Sequence, residues 1–286
     1  MPPKQSVTLR EEIVAELIGT AMMVFFGVGS VHVAVLTGAL IGLWQVAVVW
    51  GLGVGLSIYA TASISGAHLN PAVTIAFATL GRCSWKKVLP FIVSQLFGAI
   101  LAAIILYAFF SGFLAKFEQE KSIVRGESGS ELSAMTYGEY FPNPGMIGVD
   151  EKAKSLVPYW SAMLAEALGT GILVFVIFAL TDSRNENRPG AGGIAFCIGF
   201  TVTAIICILA PITQAGLNPA RDFGPRIVAY FLGWGKVAIP GPRGGFFDVY
   251  ILAPIVGAII GAAVHQFVLR PPERKAMGRP ESAAVD

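Results

Sequence analysis

The chain has 286 residues, of which 55% are hydrophobic and 13% charged, and its formal net charge is +2. Soluble domains carry about 25% charged residues, so a water-soluble fold of this size would lack the polar surface to cover its exterior. A lipid-facing exterior removes that difficulty, and so small a net charge gives no sign of a nucleic-acid partner.

A membrane-crossing helix needs about 20 mostly apolar residues. The first such run, roughly 13–35, follows Glu11 and Glu12 and continues too far for a cleavable leader. Further runs lie at roughly 40–62, 88–110, 160–180, 193–210 and 249–269. Two more, beginning at Asn70 and Asn218 and ending near Leu80 and Tyr230, are too short to cross and read as re-entrant. Lys4 and Arg10 precede the first span, and Arg82, Lys86 and Lys87 the third. Arg184 and Arg188 follow the fourth, and Arg270, Arg274, Lys275 and Arg279 the sixth. The positive-inside rule therefore places both termini in the cytoplasm and the long connection, 111–159, outside. Pro271 and Pro272 end the last helix, and 271–286 reads as a solvated cytoplasmic tail.

The chain repeats itself. Ala15-Glu16-Leu17-Ile18-Gly19-Thr20 recurs as Ala165-Glu166-Ala167-Leu168-Gly169-Thr170, and Asn70-Pro71-Ala72 as Asn218-Pro219-Ala220. Three spans separate the copies, so the halves, about 11–110 and 160–270, insert with opposite orientation. Inverted repeats place their site at the repeat interface near the bilayer midplane, and short Gly/Pro-interrupted segments point to it.

Asparagine is a favoured helix N-cap and proline a favoured first residue, so each Asn-Pro-Ala starts a half-helix. Irregular backbone survives at membrane depth only inside protein or along a watery cavity. Two half-helices entering from opposite faces bring their N-termini together, each carrying about half a positive charge. Asn70 and Asn218 add amide donors, while Ser65, Gly66, Ala67, His68 and Thr213, Gln214, Ala215, Gly216 can offer carbonyl acceptors on the approaches. Acceptors on the approach and donors at the centre suit small neutral polar solutes and repel cations and protons.

Glu16 and Glu166 are ionisable groups inside spans, which marks them as functional candidates. The expected role is support, with each accepting N–H bonds from a re-entrant loop. His68 reads as a packing histidine, and His32 and His265 have no partner by spacing. The series Gly51, Gly53, Gly55 and the pair Gly257/Gly261 fit close helix contact. Cys83, Cys197 and Cys207 lack metal or disulfide spacing. No phosphate loop, His-Glu-x-x-His or nucleophile elbow is present, so neither an enzyme nor a cofactor is expected. A secondary transporter of a small polar solute is the alternative, since broken helices and inverted repeats suit both classes.

The paired Asn-Pro-Ala motifs and the repeated Ala-Glu-x-x-Gly-Thr resemble the aquaporin family across nearly the whole chain. The run Gly216-Leu217-Asn218-Pro219-Ala220-Arg221-Asp222-Phe223-Gly224-Pro225-Arg226 and the segment Tyr140-Phe141-Pro142-Asn143-Pro144 are similar to glycerol facilitators. The resemblance implies an all-α membrane domain over 1–286 with six spans and two half-helices. It also implies a pore in every subunit and a homotetramer in the bilayer of the cell membrane. Tyr107, Asp222, Arg226, Pro254 and Ile255 match the glycerol branch rather than the water-selective one, with Asp222 placed to pair with Arg226 one turn on. By the same resemblance Trp50, Ile206, Ala215 and Arg221 form the narrowest point. Water-selective members carry histidine at the position of Ile206, whereas glycerol facilitators usually carry glycine there and an aromatic residue at 215. The expected function is passive conduction of glycerol, other small uncharged solutes and water, with a water-selective channel as the alternative.

Overall fold

Capping chemistry sets where the helices begin. The computed structural model describes residues 7–269; Lys4, Arg270, Arg274, Lys275, Arg279, Pro271, Pro272 and the expected tail lie outside the described residues. Thr8 opens α1 (Leu9–Thr37): its hydroxyl accepts the Glu11 N–H at 3.3 Å, and the Glu11 carboxylate accepts the Thr8 N–H at 2.7 Å. This reciprocal pair satisfies two of the donors that every helix start leaves open. α2 (Leu43–Ser65) ends at Gly66, whose φ of 86° is one that glycine adopts without strain. After the short α3 (Pro71–Thr79), Ser84 caps α4 (Trp85–Glu120), accepting the Lys86 N–H at 3.3 Å.

α4 runs ten residues beyond the apolar stretch that ends at Phe110, so the outer connection begins at Lys121 instead of 111. Bilayer thickness limits the apolar run, not the helix. Its last turns are rich in good helix formers, with Leu114 and Glu118 buried. The connection holds α5 (Glu131–Ala134) and α6 (Glu151–Leu156). The second half follows with α7 (Tyr159–Thr181), α8 (Ala191–Thr213) and the short α9 (Pro219–Ala229). The last span, Asp248–Leu269, is α10 (Ala253–Ala263) with π-helical turns at both ends. Six helices among the described residues are thus long and apolar enough to cross a membrane.

The two halves share one register along the chain. α2 and α8 each hold 23 residues and begin 148 positions apart, the same offset that separates Asn70 from Asn218. α1 packs on α2 and α4, α7 packs on α8 and α10, and α2 against α8 joins the halves. Glycines permit the closest contacts. A Cβ at Gly257 would drive into the Ala167 backbone, one at Gly261 into the Gly171 backbone, and one at Gly51 into Gly199. Small residues drive association where lipid removes the hydrophobic incentive.

Polarity is inverted relative to a soluble fold. Glu16, Gln95 and Glu166 are fully buried, while Leu89, Phe97, Ile208 and Phe231 are more than half exposed. At the end of α7, Asp182 accepts from Arg184 at 2.6 Å and approaches Arg82 at 4.0 Å, tying the α3–α4 link to the α7–α8 link. The Arg184 hydrogen bond holds the Asp182 carboxyl well below the usual carboxylate range.

Candidate transport pore

The half-helices build the centre. Asn70 Oδ1 accepts the Ala72 N–H at 2.8 Å, and Asn218 Oδ1 accepts those of Ala220 and Arg221 at 3.1 and 3.3 Å, with Pro71 and Pro219 as the first helical residues. The free amide ends cross over. Asn70 Nδ2 donates to the Leu217 carbonyl at 3.0 Å and Asn218 Nδ2 to the Leu69 carbonyl at 2.8 Å. Each amide therefore spends one of its two N–H groups on the opposite loop, and only one remains for a solute. Ala72 and Ala220 are buried behind the asparagines.

The loops before the half-helices alternate into the left-handed region, with φ of 51° at Ala67, 53° at Leu69, 57° at Ala215 and 57° at Leu217. Strained backbone of this kind persists only where its surroundings over-determine it, and two glutamates do so here. Glu16 accepts the Ser65 hydroxyl at 2.6 Å, the N–H groups of His68 and Leu69 at 2.9 and 2.7 Å, and Gln95 Nε2 at 2.7 Å. Glu166 accepts the N–H groups of Gly216 and Leu217 at 2.8 and 2.6 Å. With the N–H groups turned back onto the carboxylates, the carbonyls of Gly66, Ala67, His68, Ala215 and Gly216 receive no hydrogen bond within the described residues. Ser65 and Thr213 stand outside the cavities: the Ser65 side chain braces Glu16, and the Thr213 carbonyl accepts the Tyr250 hydroxyl at 3.2 Å. His68 packs between Phe77 and Phe91, its Nδ1 3.2 Å from the Thr74 hydroxyl, with its edge on the lumen.

Two cavities run along this axis. The inner one, about 320 Å³, is lined by both asparagines, the five free-carbonyl residues and an aliphatic wall from α2 and α8. The outer one, about 550 Å³, is bounded by the outer ends of α1 and α2, by Gln214, and by Met135, Glu139 and Asn143 of the outer connection. Trp50, Ile206 and Arg221 line both cavities, so these three side chains form the neck between them; Ala215 lines the inner face only. α2 and α8 supply the wall at every fourth residue, Val46, Trp50, Val54 and Ile58 on one and Val202, Ile206 and Ala210 on the other. The Arg221 guanidinium carbon lies 4.2 Å over the Trp50 ring, a cation–π contact that sets both in place.

Glu139 is the residue that sequence reasoning missed. Its carboxylate forms an ion pair with Arg221, its N–H donates to Asp222 Oδ1 at 2.8 Å, and its carbonyl accepts from Arg226 Nη2. Asp222 and Arg226 pair at 2.7 Å on one face of α9, fully buried, and Arg226 also donates to the Ala238 carbonyl at 2.7 Å. They lie behind the pore wall and reach the neck through Glu139. Tyr107 belongs to the cluster under the outer connection, while Pro254 and Ile255 pack in the last span next to its first π-helical turn. None of the five residues lines either cavity.

The family model described as "Major intrinsic protein" matches residues 4–265. The chain belongs to the major intrinsic protein family. As a member it is a multi-pass membrane protein and not an enzyme. It is 41% identical over 263 residues to the glycerol uptake facilitator protein of Escherichia coli K12, covering 92% of this chain and 89% of that protein. The Haemophilus influenzae glycerol uptake facilitator protein is 40% identical over 261 residues, 91% of this chain and 94% of that one. A propanediol uptake facilitator of Citrobacter freundii is 37% identical, with 92% and 93% covered. The X-ray structure of the aquaglyceroporin from Plasmodium falciparum superimposes with a TM-score of 0.78 at 24% identity, covering 92% of this chain and 98% of that one, and shares the fold. Other major intrinsic proteins thus match this chain over both inverted halves, not over an isolated motif.

Proposed function

We propose that this chain is a passive channel for glycerol, other small uncharged solutes and water, and that it excludes ions and protons. The observation that carries the reading is the neck. Two cavities meet at Trp50, Ile206 and Arg221, with a ladder of free carbonyls on one wall and aliphatic side chains on the other. A solute sheds water at the neck and replaces it with Arg221 donors and loop carbonyls, while its carbon backbone lies against Trp50 and Ile206. A cation meets the Arg221 charge and, at the centre, two helix N-termini. The crossed Asn70 and Asn218 amides leave one donor each there, which interrupts a continuous proton-carrying chain of waters. Glycerol uptake facilitators among the relatives support the solute class.

In this reading both termini face the cytoplasm, the outer connection faces the exterior of the cell membrane, and four copies assemble in the bilayer with one pore each. Stopped-flow light scattering on proteoliposomes tests it. Glycerol flux well above empty vesicles, with low activation energy and no saturation, is expected. Water flux alone would move the chain to the water-selective class, and a saturable, ion-coupled flux would make it a transporter. Replacing Arg221 with alanine is expected to admit cations or protons; unchanged exclusion would remove it from the filter.

A further inference from the structure

The outer cavity differs in chemistry from the inner one. The overrun of α4 past its apolar stretch brings Phe117 to the rim, with Lys121 one turn on at the helix end. Val31 and Val35 of α1, Leu43 and Val46 of α2 and Leu132 of the outer connection continue an apolar wall. The two amide side chains of the chamber are turned into the loops. Gln214 accepts the Tyr140 N–H at 2.9 Å and donates to the Met135 carbonyl at 3.3 Å. Asn143 donates to the Ala210 carbonyl at 3.0 Å and accepts the Gly145 N–H at 3.0 Å. The Arg221 guanidinium and the Trp50 indole N–H belong to the neck beneath.

Three charged residues border this chamber. Arg221 and Glu139 form an ion pair and cancel. Lys121 is exposed, and among the described residues no carboxylate pairs with it: Glu118 is held by Arg125 at 2.9 Å and Glu120 by Lys116 at 3.7 Å. The chamber, about 550 Å³, falls in the roughly 300–1,000 Å³ range of small-molecule pockets. Its apolar wall gives the hydroxyls of glycerol no partner, whereas each methylene moved onto it from water favours binding about fourfold. A single unpaired cation at the rim selects an anionic head, and the buried Glu139 carboxylate below keeps that head from going deeper.

We infer that the outer chamber is a binding site for amphipathic monoanions. The head, a sulfonate or carboxylate, pairs with Lys121, and a short alkyl body lies along the apolar wall toward Trp50. So seated, the ligand stands over the neck and blocks it. The blocking rests on the channel reading; the binding does not.

The test is titration calorimetry of the full chain in lipid nanodiscs, against empty nanodiscs, with stopped-flow glycerol flux in proteoliposomes beside it. Hexane-1-sulfonate is expected to bind saturably and to slow glycerol, with hexylammonium doing neither. Butane-1-sulfonate, shorter by two methylenes, should bind more weakly by roughly an order of magnitude. Lys121→Gln should weaken the hexane-1-sulfonate complex about threefold, the scale of one exposed pair, with probe-free glycerol flux unchanged. Lys121→Glu should reverse the preference in favour of hexylammonium. Equal binding of sulfonate and ammonium, Lys121 variants that bind like the wild type, or heats equal to those of empty nanodiscs would overturn the site. Saturable binding with undiminished glycerol flux overturns the blocking. Saturable sulfonate binding to a chain that passes no glycerol at all upholds the site and overturns the channel reading.

Discussion

A guanidinium as buried as Arg221, 3% exposed, needs an anion beside it or the protein bears a large desolvation cost. Glu139 supplies that anion from a loop, and Asp222 and Arg226 hold the loop through its N–H and carbonyl. Glu139→Gln is therefore expected to leave Arg221 uncompensated and turned toward the lumen. Solute and water permeability should fall severalfold, with stability lower by about 3 kcal/mol, as read by stopped-flow scattering and thermal unfolding in detergent. Unchanged flux would mean that Arg221 keeps its place without the carboxylate. The sequence makes Arg221 legible, because it follows a motif whose capping chemistry is local. Glu139 is not legible, because its partner is 82 positions away and no periodicity governs the segment between them.

At the scale of elements, the re-entrant loops hold left-handed residues that are not glycine, and the glutamates compensate for that strain. Glu16→Gln and Glu166→Gln each replace a carboxylate acceptor by an amide, leaving at least one buried N–H poorly met at about 1–3 kcal/mol. Both are expected to lower yield and melting temperature, the Glu16 variant more, because Glu16 also receives Gln95, while Thr213 serves Glu166 as Ser65 serves Glu16. Normal melting with altered conduction would make them pore residues instead of braces. Gly257→Leu should prevent α7 and α10 from meeting, since even a Cβ enters the Ala167 backbone. Loss of monodisperse protein on size exclusion is the expected result, and a well-folded variant would contradict it. Half-helix starts, spans and the inverted halves were legible from caps, apolar length and repetition. The end of α4 was not, because lipid thickness bounds the apolar run while helix propensity carries on to Glu120.

For the whole molecule, polar groups line the axis and apolar ones the exterior, so reagents reach the lumen only from its ends. Cys83, Cys197 and Cys207 all lie outside both cavities, and burial pushes the Cys83 thiol up, which slows its reaction. Mercurials are expected to leave solute flux unchanged in proteoliposomes. Rapid inhibition reversed by a thiol reductant would show that one cysteine reaches the conducting path. The crossed bonds at the centre have a consequence for biosynthesis. When the first three spans, ending at Glu120, have left the ribosome, Asn70 and Leu69 exist but their partners Leu217 and Asn218 do not, for 98 residues (218 − 120) separate Glu120 from Asn218. The first re-entrant loop must wait in the membrane with its central donor and acceptor unmatched. The pore can therefore close only as a last step, when the second half arrives and each half supplies what the other lacks.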